Sequence, residues 1–405
     1  MFNIEYQTKR RRDAQVSKID DFPQEILFEI FTRLSVKSLL RSRCVCKSWK
    51  SLISNPDFMN AHLKRNVLKN ACDYLVIHTG YDVSGFSVYD AEEFTKRFDL
   101  ELPRPKHVSY AVYGSCNGVL CISATWRVNL ASPIYLLNPS IRVFKKIPDC
   151  HILQTAHFVT LGFGFHERGD DYKVVRVVRF PRKKDFFAVE VYSLRLDTWR
   201  RITATPPVSQ QARFPQPKCL FFNGFLYWIT VEPSQHCTSI VSFDLDSEVF
   251  QKIMLPDILF GVASVPTVQV FEESLSLFHQ RKDDNVWYCD IWVVEADTWT
   301  MNRTIRLPRC ESVAWPLGIR TDNKFHLVRH VRNMQRDPIM VLCDPVLRRA
   351  KDTGISLSYH SQFVDAYREI MQAFLFGINM CTLKYQIIKR IRDAQVVMNH
   401  DLRLI

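Results

Sequence analysis

The sequence predicts a mainly β protein with a small all-α N-terminal module, the β part closing into a propeller of six blades. Three observations predict it. A helical apolar period runs through the first seventy residues and then vanishes. Short β-branched and aromatic runs separated by turn residues replace it. Within them one strand–turn–strand unit recurs about every 50 residues, a kelch-type propeller spacing. The 405 residues, 47% of them hydrophobic, can bury the core of one large domain and a small one.

The first element begins at Asp21, FPQEILFEIFTRL, where Ile26, Leu27, Ile30, Phe31 and Leu34 share one face at helical period. Asp20 and Asp21 are N-cap candidates, and Pro23 suits a first turn. A second helix is predicted over Val36 to Ile53, with Leu39, Leu40, Val45, Trp49, Leu52 and Ile53 as its apolar set. Asn55-Pro56 ends it, because proline disfavours helix at the residue before it. Asp57 to Arg65 forms a third, short helix. A module of about 45 residues lies near the lower limit for independent folding, so it needs a partner or serves as a cap on the next domain.

The run FPQEILFEIFTRLSVKSLLRSRCVCKSWKSLISNPDFMNAHLKR closely resembles the F-box of plant F-box proteins over its whole length. That pattern reads Leu-Pro, then Leu-Pro-x-Lys-Ser-Leu-Leu, then Val-Cys-Lys-x-Trp. Phe22 stands here for the first leucine and Ser35 for the second proline. By the resemblance, Pro23, Ile26, Ile30, Leu34, Leu39, Leu40, Val45, Cys46 and Trp49 pack the fold or face a Skp-type adaptor.

The β repeats read SVYDAEEFTKRFDLELP, YLLNPSIRVFKKIP, VYSLRLDTWRRI, VSFDLDSEVFQKIMLP, IWVVEADTWTMNRTIRLP and VLCDPVLRRAKD, marked by Asp90, Asn138, Asp197, Asp246, Asp297 and Asp344. Later copies are preceded by a second hairpin signal: Asn117-Gly118, Gly169 to Asp171, Asn223-Gly224, Glu273-Ser274 and Asp322-Asn323. Two hairpins make a four-stranded blade, and a closed ring protects the edges that an open sheet would expose. A β-sandwich of several sheets fits the strand content but not the spacing. GSCNGVLCIS, LLNPSIRVFKKIP, LGFGFHERGDDYKVVRVV, YSLRLDTW and FFNGFLYWI resemble the F-box-associated domain that follows the F-box in many plant proteins. The expected organisation is a disordered basic tail over 1–19, the F-box over 20–65, the kelch-like propeller over 72–352, and a closing segment with a helix over 353–405.

No Gly-x-Ser-x-Gly, Walker loop, dinucleotide fingerprint or His-Glu-x-x-His occurs, and the histidines show no metal-ligand spacing, so no catalytic residue, metal or cofactor is expected. His166-Glu167 can be read as general bases or, more simply, as a solvated turn. Trp126, Trp199, Trp228, Trp287, Trp292, Trp299 and Trp315 can be read as a stacking surface. Trp199 and Trp299 occupy equivalent repeat positions, which makes them packing residues instead. The segments joining second and third strands share one face of a propeller, and they carry Trp126 and Arg127, Arg182, Lys183 and Lys184, Arg281 and Lys282, and Arg332 and Arg336. Those residues are either a basic surface for an acidic or phosphorylated protein substrate or ordinary solvated loops.

The twelve cysteines are scattered, as reduced thiols of a cytoplasmic or nuclear protein would be, and the N-terminus has no apolar signal core. Ile370 to Leu383 falls short of the ~20 apolar residues of a membrane span. Lys9 to Arg12 is a nuclear-import patch or a solvated tail, and the stretch from Leu383 to Val397 is a capping helix or a membrane- or partner-binding one. The resemblance implies the non-catalytic substrate-recognition subunit of a Skp-cullin-F-box ubiquitin ligase, binding the Skp adaptor and through it a cullin. A cullin-independent F-box scaffold and a nucleic-acid-binding regulator that uses the +12 charge are the competing readings.

Overall fold

The computed structural model describes residues 22–68, 74–78, 86–100, 110–124, 132–152, 158–180, 187–215, 218–232, 237–259, 265–284, 286–295, 298–307, 315–319, 324–329, 339–344, 349–357 and 364–367. Four helices open it: α1 (Gln24–Thr32), α2 (Val36–Ser42), α3 (Lys47–Ile53) and α4 (Pro56–Leu68). Asp20 and Asp21 lie outside the described residues, and the residue before α1 is Pro23 itself, with no side-chain cap.

The single helix expected over Val36 to Ile53 is two helices. Cys46 between them is extended (φ −151°, ψ 170°) and its carbonyl starts α3. An unbroken helix of that length would run about 27 Å and carry Trp49 away from the start of the module. The break instead folds α3 back, so that Trp49 meets Phe31 edge-on with ring centroids 4.8 Å apart. The helix expected over Asp57 to Arg65 extends to Leu68.

The strands form six four-stranded antiparallel sheets. The first contains β1 (Tyr74–His78), β2 (Phe86–Asp90) and β3 (Lys96–Leu100). The second contains β4 (Tyr110–Cys116), β5 (Val119–Ala124), β6 (Tyr135–Asn138) and β7 (Val143–Lys146). The third contains β8 (Phe158–His166), β9 (Asp171–Arg179), β10 (Phe187–Ser193) and β11 (Thr198–Ile202). The fourth contains β12 (Leu220–Phe222), β13 (Phe225–Glu232), β14 (Cys237–Asp244) and β15 (Phe250–Met254). The fifth contains β16 (Thr267–Phe271), β17 (Ser274–Asp283), β18 (Val286–Glu295) and β19 (Thr298–Arg306). The sixth contains β20 (Trp315–Ile319), β21 (Phe325–Arg329), β22 (Ile339–Asp344) and β23 (Arg349–Ser356). The fourth strand of the first sheet is β24 (Val364–Tyr367), from the far end of the chain, which pairs with β1.

Strand alternation explains why the apolar runs are continuous. Successive residues point into the two different seams that flank each sheet. Leu226 and Trp228 pack against the third sheet, whereas Tyr227 and Ile229 pack toward the fifth. One apolar cluster fills each seam between consecutive sheets, and a sixth joins Leu75 and Ile77 of the first sheet to Met340 and Ile355 of the last. The architecture is a β-propeller.

The repeat marker has a local physical cause. Asp90, Asn138 and Asp244 each close the turn after a third strand by accepting backbone N–H bonds from residues two or three ahead, and Ser193 does the same with its hydroxyl. Phe94, Arg142, Asp197 and Glu248 follow at the matching left-handed position, with φ between 54° and 59°. Asp197 and Asp246 are therefore not the structural equivalents of Asp90. Ser193 and Asp244 are. Asp297 lies outside the described residues.

The hairpins at Asn117-Gly118 and Asn223-Gly224 have the paired positive φ expected of them. The third such turn is Glu272-Glu273, one residue earlier than the expected Glu273-Ser274. Trp199 and Trp299 do the same work two sheets apart: each indole N–H donates a 2.8 Å bond to a carbonyl of the preceding sheet's end, Pro148 and Met254 respectively.

Candidate functional site

The helical module closes a small core from one side of each helix. Leu27, Phe31, Val36, Leu39, Trp49, Ile53 and Phe58 are buried, with Leu34, Leu40, Leu52 and Cys46 packed around them. Polar bonds hold the ends together: His62 Nε2 lies 3.0 Å from the Leu34 carbonyl, and Arg43 donates a 3.0 Å bond to Ser54 Oγ. Ser35, which replaces a proline of the resembled pattern, caps α2 by accepting from the Ser38 amide.

The nine residues singled out in the sequence therefore divide. Leu39 and Trp49 belong to the core, with Leu34, Leu40 and Cys46 at its margin. Pro23, Ile26, Ile30 and Val45 face outward. Ile26 is 45% exposed and Ile30 44%, one helical turn apart on α1, with Phe22 at 41% just ahead of the helix and Val45 at 63% before α3. These four large apolar side chains are left in water on a small module, and Ile26 and Ile30 are neighbours on one helix face.

Ile26 and Ile30 share an open, shallow surface of α1 with Glu25, Glu29 and Arg33. Glu29 is 3.3 Å from Arg33 and 3.8 Å from Arg65, so the charged groups beside the two isoleucines are paired with one another. A partner helix or strand carrying apolar anchors fits that chemistry.

Of the basic residues expected on the propeller face, Trp126, Arg127, Arg182, Lys183, Lys184, Arg332 and Arg336 lie outside the described residues. Arg281 and Lys282 lie within β17, near the tip of its hairpin with β18. Each is stacked on its cross-strand partner: the Arg281 guanidinium is 4.7 Å from the Tyr288 ring centre, and Lys282 Nζ is 5.8 Å from that of Trp287. Arg281 also donates a 2.7 Å bond from Nε to Asp290 and lies 3.7 Å from Asp283. An incoming acidic group at Arg281 would compete with two carboxylates already in place.

His166 and Glu167, read from sequence as a solvated turn or general bases, sit where the third and fourth sheets meet. His166 Nε2 is 3.0 Å from Asp246 Oδ1, whose other oxygen accepts a 2.5 Å bond from Arg168. A Cβ at Gly169 would press into the His166 ring, 2.5 Å from Nδ1, so the glycine makes the seat for the imidazole. This is a structural bridge between sheets. The Cys116, Cys121, Cys219 and Cys289 thiols are buried in the seams and burial pushes each pKa far up, which keeps them protonated and unreactive. Among the described residues no group of three or more His, Cys, Asp or Glu is placed to hold a metal ion, and no helix is long and apolar enough to cross a membrane. The expected basic C-terminal helix and the Lys9–Arg12 run lie outside the described residues.

Sequence reasoning missed one residue of this region. Ile141, in the turn between β6 and β7, packs against the helical core and also against the seam between the second and third sheets. The sequence carries no distinguishing signal for it, since the equivalent turn position is also apolar at Leu196, which is exposed.

Comparison with known proteins agrees with this division of the chain. Residues 19–60 match the F-box domain and residues 76–316 match the F-box associated beta propeller domain. An F-box/kelch-repeat protein of Arabidopsis thaliana is 29% identical over 316 residues, covering 74% of this chain and 83% of that protein. The F-box protein CPR1 of the same plant is 28% identical over 314 residues, covering 71% and 73%. Among solved structures, TolB from Acinetobacter baumannii aligns with a TM-score of 0.46 at 8% identity over 77% of this chain and 72% of that one.

Proposed function

Because the chain belongs to the F-box associated β-propeller family and carries its F-box ahead of the propeller, we propose that it is the substrate-recognition subunit of a Skp-cullin-F-box ubiquitin ligase. The observation that carries this reading is the exposed apolar face of Ile26 and Ile30 on α1, with Phe22 and Val45 also exposed, on a module whose core is otherwise closed. In this reading that face binds a Skp-type adaptor, and through it a cullin. The F-box occupies about 20–65, and the six sheets are the blades of one closed ring.

The chemistry of such a ligase takes place on other subunits. This chain contributes proximity: holding a substrate near the ubiquitin thioester raises the effective concentration of its lysines without any catalytic residue here. The substrate is a protein bound on the face where second and third strands are joined, with Trp126, Arg127, Arg182, Lys183, Lys184, Lys282, Arg332 and Arg336 as its candidate contacts and Arg281 held by Asp290 and Asp283. The protein works in the cytoplasm, the nucleus or both.

Capture of a Skp adaptor by the full chain tests the reading. Wild type binds, and Ile26→Asp/Ile30→Asp binds at least tenfold more weakly with an unchanged circular dichroism spectrum. A folded wild type that captures no adaptor defeats it.

A further inference from the structure

We infer that the F-box module is docked onto the second sheet of the propeller through Ile141, so that the two domains move as one body. Four equivalent turns occur, one after the third strand of each of the first four sheets. Their matching residues are Glu93, Ile141, Leu196 and Ser247. Ile141 and Leu196 are close in size and hydrophobicity and occupy neighbouring sheets, yet Leu196 is 64% exposed while Ile141 is half-buried. Ile141 packs both against the seam between the second and third sheets and against the helical core of Leu27, Phe31, Leu39 and Trp49, and Leu196 belongs to neither cluster.

The turn that presents Ile141 is held from both sides. Asn138 is buried and accepts a 2.9 Å bond from the Ser140 amide. Arg142, in the left-handed conformation, lays its guanidinium 4.0 Å from the centre of the Phe98 ring on β3 of the first sheet. Just beyond, Lys145 is paired with Asp197 of the third sheet at 2.8 Å. Ile141 thus stands on a turn of the second sheet braced against the first and the third, and a side chain fixed in this way can position whatever packs on it.

The F-box module supplies the need. Seven buried apolar side chains make a core near the size limit at which a domain stabilises itself, so an extra apolar contact on the propeller is a large fraction of its support. The consequence for function rests on the ligase reading: docking sets the direction in which the substrate-bearing face points from the adaptor. The docking itself does not depend on that reading.

Hydrogen exchange of the full-length chain tests it, comparing wild type with Ile141→Asp, Ile141→Leu and Leu196→Asp. In Ile141→Asp, amides of α1 to α4 exchange at least tenfold faster while those of β17 and β18, in a sheet Ile141 does not touch, keep the wild-type rate; Ile141→Leu and Leu196→Asp both match wild type. Ile141→Ser, gentler on the turn, shows the same pattern to a smaller degree. Helices that exchange at the wild-type rate in both Ile141→Asp and Ile141→Ser, or that loosen equally in Leu196→Asp, overturn the docking. Adaptor capture measured on the same wild-type sample reports separately on the ligase reading.

Discussion

The indole of Trp228 donates a 3.0 Å hydrogen bond to the Leu161 carbonyl across the seam between the third and fourth sheets, and Gly162 is what lets the ring reach it. A Cβ at Gly162 would fall inside the Trp228 ring's contact envelope and 2.9 Å from Leu226 Cδ1. Trp228 is fully buried, so the ring has nowhere to retreat. Gly162→Ala is expected to destabilise the propeller by about 1–3 kcal/mol through overpacking, read as a lower urea midpoint.

The F-box residues separate into two classes with opposite expected phenotypes. Leu39 and Trp49 are core, and Leu39→Ala costs about 2–5 kcal/mol, loosening the helices before any partner is added. Ile26→Asp and Ile30→Asp change exposed positions and shift stability by about 0.5 kcal/mol or less. Thermal unfolding followed by helical circular dichroism distinguishes them; equal losses in both classes would contradict the assignment of Ile26 and Ile30 to an outer face.

Arg176 and Glu190 form an ion pair at 2.6 Å with both side chains buried in the third sheet. Glu190 also accepts from the amides of His151 and Ile152, at 3.0 and 3.1 Å, and so clamps the connection arriving from the second sheet. Glu190→Ala strands a buried guanidinium and is expected to cost about 3–5 kcal/mol. Arg176→Met/Glu190→Leu removes both charges and costs less, which chemical denaturation of the three proteins would show.

His279 gives the stability a pH dependence. It is buried in β17, and burial holds its imidazole below the ordinary value of 6.5; nearby Asp290 pulls the other way and Arg281 adds to the depression. The unfolded chain therefore binds a proton near pH 6.5 that the folded chain refuses, so stability is lost as pH falls below about 6.5. His279→Gln should flatten the loss between pH 7 and 5. Carboxylates act lower: Lys96 holds Asp99 below its usual range, and at Glu248 burial is outweighed by Arg200 and Lys173, so their contribution persists until pH drops below about 4.

Much of the fold was legible because it is written in short-range periods. The alternation through YKVVRVV and the Asn-Gly turns announce strands and hairpins, and the side-chain-closed turns at Asp90 and Asn138 carry the repeat, whereas in the fourth sheet the marker read as Asp246 is Asp244, two residues earlier. The reading slipped where two residue types do one job, as when Ser193 replaces the aspartate and draws attention to Asp197. It slipped again at Cys46, where nothing within a helical turn announces the bend that brings Trp49 back to Phe31.

The sequence by itself determined the helical module, the repeated four-stranded unit and the resemblance to an F-box chain, since each depends on residues only a few positions apart. Tertiary structure alone decided that Leu27 turns inward while Ile26 stays in water, that Arg281 is already paired, and that Ile141 is covered while Leu196 is not. The physical reason is the same in each case. Periodicity says which residues share a face, but burial depends on what the rest of the chain brings against that face, and those neighbours can lie a hundred residues away.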